Sequence, residues 1–374
     1  MLDKGLLYIW ALSSIVLCGL IFGSKIFSFM DDGKFDIGRY SNMDGLRYVL
    51  ASLVVFHHAD YYLNYIIDGK WTTNSTFILY IGKIGVSLFF SITAFLFWGK
   101  IKKDENVDWI NLYKDRLFRI APLAIVSSLL AIIVILSISG FPSNNSLTFG
   151  SIVKWLDAGI FNEKPDINGF KRSTVAIAGV TWTLRWEWGF YFCLPILFFF
   201  KRKGMEFAIA FMFVCLYFMP AFTNASYWIF SGFACGILAK ELSERISITI
   251  KTANYLLIGA LLALCILKPD INSVKLPPLT LLIMFAISKG ADLFGLLRLK
   301  GFVRLGECSY SIYLMQGIIL FPSFIALKTN LHKGNDFQTM LIITVLFCCL
   351  SLLSMMTFLF VEKPFIRMGK NIKL

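Results

Sequence analysis

The chain has 374 residues, of which 57% are hydrophobic and only 16% charged, with a formal net charge of +13. A soluble domain carries roughly 25% charged residues, so a soluble enzyme is excluded. Most of the lysines and arginines sit in short stretches between apolar runs ("KIKKD", "KDRLFR", "KRK", "KPFIRMGKNIKL"), which reads as a topology signal rather than a nucleic-acid footprint.

Apolar segments fall near residues 6–24, 45–66, 77–98, 117–139, 176–200, 206–221, 226–239, 253–267, 276–288, 306–327 and 338–361. Runs such as "LLYIWALSSIVLCGLIFGSKIF" and "LIITVLFCCLSLLSMMTFLFV" approach the roughly 20 residues that cross a bilayer as a helix. Backbone groups in lipid have no water to bond, so such runs must be helical. The fold expected is all-α, a polytopic membrane protein of about eleven transmembrane helices, although 226–239, 253–267 and 276–288 are short for a full crossing. The basic stretches follow alternate segments, and the positive-inside rule makes that side cytoplasmic. The N-terminus is then outside, the C-terminus inside, and the protein sits in a bacterial-type inner or plasma membrane. The first segment has neither a basic leader nor a small-residue cleavage site, and reads as a retained helix. The eight cysteines lie in or at the ends of apolar segments without a CxxC pair, so neither a disulfide framework nor a metal site is expected.

In chain order, residues 25–46 carry Asp31, Asp32 and Asp36, and then comes "RYVLASLVVFHH", residues 47–58. Eleven helical positions rotate by about 1100°, so Arg47 and His58 share a face about 16 Å apart, while His57 is turned away by about 100°. Ionisable groups inside a membrane are functional by default. The plainer alternative has Arg47 snorkelling to head groups and the histidines at the water boundary beside Asp60.

In "YKDRLFRIAP", Arg116 and Arg119 are spaced i, i+3 on one face, where paired guanidinium groups suit phosphate. They also fit an ordinary cytoplasmic anchor. Residues 140–175 are rich in Gly, Pro, Ser and Asn and form the longest loop; within it "FGSIVKWLDAGIF" has the spacing of an interfacial helix. "TWTLRWEWGFYFCLP", residues 181–195, sets Arg185 and Glu187 on nearly opposite helix faces. Glu187 therefore needs an arginine or histidine from another helix. "RLGECSYSIYLMQG", residues 304–317, threads Tyr310, Tyr313, Gln316 and small hydroxyl residues through a helix, a pattern that also serves helix packing. Glu362 in "VEKPF" closes the last segment beside Lys363.

Taken in order, these blocks resemble the integral-membrane acyltransferase family 3, from Asp44 to Phe365. "MDGLRYVLASLVVFHHA" is similar to the family's Asp-Gly-Leu-Arg opening and its Arg-x10-His pattern, which selects Arg47 and His58. "GKIGVSLFFSITAFL" resembles its Gly-Val-x-x-Phe-Phe block, "RLFR" its Arg-x-x-Arg, and "WTLRWEWGFY" its Trp-Ser/Thr-Leu-x-x-Glu-x-x-Phe-Tyr. "LGECSYSIYL" and "VEKPF" match the last two blocks. Thr93-Ala94 replaces the usual Ser-Gly, and Gln316 stands where a histidine often sits.

The resemblance implies a ten-helix acyltransferase membrane domain over 41–374, with residues 1–40 an added helix and connection. It implies an acyl-CoA-dependent O-acetyltransferase: acetyl-CoA as donor, a carbohydrate or glycolipid as acceptor reached directly or through a separate partner protein, membrane lipids as surroundings, and no nucleic acid or metal. The residues expected to act are His58 as general base, Glu187 beside it or beside an arginine, and Arg47, Arg116 and Arg119 on the donor's phosphates. Trp182, Arg185, Tyr310 and Gln316 are the candidates for oxyanion or substrate contacts. An acyl-histidine route is equally compatible, as is a succinyl-type donor. A glycolipid transporter or flippase is the alternative from another class.

Overall fold

The computed structural model describes residues 4–31, 41–73, 75–140, 147–161, 163–218, 227–269, 273–333 and 335–372; Asp32 and Asp36 lie outside them. Among the described residues every regular element is a helix. The helices are α1 (Lys4–Phe22), α2 (Ser41–Asp68), α3 (Thr76–Lys103), α4 (Trp109–Ser139) and the short α5 (Phe149–Trp155), then α6 (Trp182–Phe199) and α7 (Gly204–Phe218). They continue with α8 (Tyr227–Arg245), α9 (Ile250–Leu267), α10 (Leu276–Ser288), α11 (Lys300–Glu307) and α12 (Ser309–Ala326), and end with α13 (Lys328–Lys333), α14 (Asp336–Thr357) and α15 (Lys363–Asn371).

Local chemistry starts several of these helices: the side chains of Ser75, Asp108, Thr249 and Asn335 each accept a backbone N–H of the first turn, which satisfies a donor the helix itself leaves open. Helices α3, α4, α9 and α12, and the continuous rod from Asp336 to Asn371, are long and apolar enough to cross a membrane. Outward faces carry exposed Leu12, Ile133, Phe213, Ile266 and Leu341, surface that water would not tolerate on this scale and lipid favours. The protein is an all-α, multi-pass membrane protein.

Three boundaries differ from the apolar pattern, each for a physical reason. The segment beginning near 176 becomes helical only at Trp182, because Ala178 and Gly179 adopt left-handed backbone, with φ of 52° and 64°. The segment from 306 is broken at Cys308 into α11 and α12. The interfacial stretch in the long loop is helical only through Trp155, because the Asp157 carboxylate accepts the N–H groups of Gly159 and Phe161 and turns the chain.

The basic connections are tied to one another on one face. Lys201 donates to the Asp104 carbonyl, Lys102 pairs with Glu241 and Glu244, Lys289 donates to the Ser243 carbonyl, and Lys114 to that of Ile372. Helix α2 runs through the interior, packed on α3, α11 and α12. Its approach to α11 needs glycine twice: a Cβ on Gly45 would lie 1.9 Å from the Leu297 carbonyl oxygen, and one on Gly306 2.0 Å from that of Asp44. A helix so enclosed meets protein rather than lipid, which is why it carries polar residues across the bundle.

Candidate functional site

A cavity of about 360 Å³ opens among α2, α3, α4, α6 and α12. Four cations line it: Arg47 from α2, Lys100 from α3, and Arg116 and Arg119 from α4. The one carboxylate among its lining residues is Glu187 of α6, and Glu187 accepts the hydroxyl proton of Tyr191 one turn along. Arg47 lies 3.5 Å from Asp44, which is a weak pair. The Arg116 guanidinium lies 5.0 Å from the Phe97 ring centre, and its Nε is buried with no hydrogen-bond partner. A buried guanidinium N–H without a partner is costly. Together with the surplus of positive charge in the lining, this is the donor set that pairs best with an anion.

The cavity lining also carries the hydroxyl groups of Thr183 and Tyr313. Thr183 donates to the Val180 carbonyl at 3.0 Å, and the Tyr313 hydroxyl lies 3.0 Å from Thr183 Oγ1 and 3.3 Å from the same carbonyl. One turn beyond Tyr313 on α12, Gln316 Nε2 donates to the Tyr313 carbonyl at 2.7 Å. That bond fixes the amide orientation, so Gln316 Oε1 is the atom 3.0 Å from His58 Nδ1. A carbonyl oxygen only accepts, so Nδ1 carries a proton, and in the neutral ring His58 Nε2 keeps its lone pair. His58 is thus held in one tautomer by Gln316, one turn along α12 from the cavity-lining Tyr313, on the same stripe of α2 as Arg47. The Trp71 indole lies over its other side, with ring centres 6.2 Å apart and an interplanar angle of 19°.

His57 has a different task. Its Nδ1 donates to the Ile78 carbonyl at 2.7 Å, and its ring fills the space where a Cβ on Gly82 would stand. It joins α2 to α3 by packing.

The sequence-selected residues therefore divide. Arg47, Arg116, Arg119, Glu187 and Tyr310 line the cavity. Gln316 holds His58, and neither is among the cavity's lining residues. The partner of His58 is Gln316, while the described partner of Glu187 is Tyr191. Tyr310 gives its proton to the Ile120 carbonyl at 2.8 Å, which occupies it. Trp182 packs on Trp228, with ring centres 6.0 Å apart, and Arg185 is exposed on the opposite face of α6 from Glu187. Neither reaches the cavity. Sequence reasoning did not single out Lys100 or Thr183, one hidden in a basic run and the other in an aromatic block. Glu362 is buried, accepts from Ser311 of α12, and keeps its second oxygen without a partner.

The fold is thus a multi-pass helical bundle with a cation-lined chamber on one stretch of α2 and a histidine oriented by Gln316 further along the same helix. The family model described as an acyltransferase domain matches residues 40–360, and the chain belongs to that family, acyltransferase family 3. It is a membrane acyltransferase. Helix α1 precedes the matched span. No curated protein and no solved structure matches the chain.

Proposed function

We propose that this acyltransferase moves an acetyl group from acetyl-CoA, bound at the basic face, to a hydroxyl of a carbohydrate or glycolipid presented at the opposite face. The basic face is then cytoplasmic, with the C-terminus on that side and the N-terminus across the membrane, in a bacterial-type inner membrane. The observation that carries this reading is a cation-lined chamber whose lining residue Tyr313 lies one helical turn from Gln316, the residue that orients His58.

The donor's phosphates sit against Arg116, Arg119 and Arg47, where charge-assisted bonds are strongest. Its thioester extends along the Arg47–His58 stripe to Tyr313. His58 Nε2 takes the proton of the acceptor hydroxyl as that oxygen attacks the thioester carbonyl carbon. The tetrahedral intermediate collapses, the C–S bond breaks, and the thiolate leaves with the proton held by the imidazolium. The developing oxyanion needs a preorganised donor. Tyr313, which lines the chamber one turn along α12 from Gln316, is the candidate, once its hydroxyl turns away from Thr183 and the Val180 carbonyl. Glu187 and Tyr191 balance the arginines beside the donor's path.

The test compares envelope glycans by mass from cells with and without the gene, and with His58→Ala in its place. A gain of one acetyl group that needs both the gene and His58 is the expected result. Acetylated glycan in the gene-free strain, or in the His58→Ala strain at equal membrane protein, sinks the reading. Dependence on labelled succinyl-CoA in place of acetyl-CoA would move the donor assignment alone.

A further inference from the structure

A second cavity, of about 230 Å³, opens on the His58 side and is lined by Trp71, Arg172, Thr174, Val175 and Gly179. We propose that it is the acceptor subsite, and that it takes a single sugar ring bearing a carboxylate or phosphate group. This rests on the acyl-transfer reading of the neighbouring histidine.

Three observations converge. Trp71 belongs to both places: it lines the cavity and stacks on the His58 ring. Tyr61, Tyr62 and Tyr65 hold the indole by edge contacts at 5.4, 4.9 and 6.1 Å between ring centres. An indole fixed in this way offers a rigid apolar face with a polar edge, which suits the C–H face of a pyranose. The cavity is also preformed. Tyr62 donates its hydroxyl proton to the Val175 carbonyl. The same segment lies so close to α12 that a Cβ on Gly317 would stand 2.5 Å from the Ala176 carbonyl oxygen. Its size falls below the roughly 300–1,000 Å³ of sites for drug-sized ligands, so one ring fits and a chain extends outwards.

Charge gives the ligand its class. On the same loop, Lys154 pairs with Glu163, and the buried Lys164 pairs with Asp157, each at 3.2 Å. Arg172, at the rim of the cavity, has no ion pair among the described residues and is exposed. A lone guanidinium beside an aromatic platform offers a forked pair of N–H groups to a carboxylate or phosphate.

The experiment uses full-length protein in membranes with radiolabelled acetyl-CoA and three acceptors: glucose 1-phosphate, methyl glucuronide and neutral methyl glucoside. The wild type is expected to favour at least one anionic sugar over the neutral one, and which of the two shows whether phosphate or carboxylate is read. Arg172→Gln should cut that preference about tenfold, the worth of a charged hydrogen bond, whereas Lys171→Gln, outside the cavity, should keep it. A wild-type preference near unity, or one unaltered by Arg172→Gln, overturns the subsite. Saturation-transfer NMR on purified protein with glucose 1-phosphate and methyl glucuronide separates the two readings. Binding that needs Arg172 without any acetyl transfer keeps the subsite and removes the acyl-transfer reading.

Discussion

The two ends of α2 solve opposite problems. At the Arg47 end, four cations face a cavity whose lining supplies one carboxylate, and the Arg116 Nε is left without a partner. Around His58 itself the neighbouring polar groups have partners: His58 bonds Gln316, Gln316 bonds the Tyr313 carbonyl, and Tyr62 separately bonds the Val175 carbonyl. Unmet hydrogen-bonding capacity marks where a ligand must bring its own charge. Met capacity marks where a group is held ready for chemistry, at little cost in reorganisation. On the proposed reading, donor binding and reaction are separated by about three helical turns of one helix.

The contrast breaks most sharply at His58. Its replacement by alanine should lower acetyl transfer by about 10²–10⁴-fold, the usual contribution of a general base, with membrane insertion unchanged. His57→Ala should instead lower thermal stability and leave most transfer intact, since its ring and Nδ1 serve the α2–α3 contact. Radiolabelled acetyl-CoA turnover and melting curves on the same membranes separate the two. Equal turnover losses in both variants would erase the distinction between them.

At the other end, Arg116→Gln should act on binding. Loss of a charge-assisted bond to phosphate is worth about 1.5–3 kcal/mol, which corresponds to a KM for acetyl-CoA raised about tenfold or more. Turnover at saturation should change little. A fall in kcat with KM untouched would place Arg116 with the reacting atoms instead. The orienting amide comes next. Gln316→Leu removes the acceptor that fixes the His58 tautomer, and a net hydrogen bond of about 1 kcal/mol predicts a loss of about fivefold in kcat. The pH profile of kcat should shift with it, an effect a purely structural role would not produce.

Much of this was legible in one dimension because it depends on one helix at a time. The Arg47–His58 stripe follows from helical rotation alone, as does the separation of Glu187 from Arg185, whose side chain is exposed. The paired arginines of α4 follow from their i, i+3 spacing. What was hidden depends on how helices distant in sequence meet. The His58–Gln316 bond spans 258 positions and the Thr183–Tyr313 bond 130, and periodicity says nothing about either. Trp71 sits in a short loop where no pattern distinguishes it, and Cys308 interrupts a segment whose composition reads as continuous. The partner of a buried polar group is a tertiary fact even when its burial is not.

Arg304 offers the gentlest test of the same division, because it is a cation whose needs are fully met. It is 3% exposed, yet its guanidinium donates to both Asp31 oxygens at 2.8 and 2.7 Å and to the carbonyls of Phe22 and Ser24, each at 2.9 Å. The sequence shows it only as another basic residue between apolar segments. In the fold it clamps α11 to the end of α1, which is also held by the Trp10–Thr344 and Tyr48–Ile15 bonds. The Arg304 guanidinium holds the Asp31 carboxyl below the usual carboxylate range. A depressed folded-state value means that this stabilisation is complete above the unfolded value near 4 and is lost as pH falls below it. Asp31→Asn should therefore lower the melting temperature at neutral pH and flatten its decline in acid, while transfer at moderate temperature stays near that of the wild type. A large loss of turnover without loss of stability would show that α1 shapes the reaction site itself, and that satisfied cations in this protein are not merely structural.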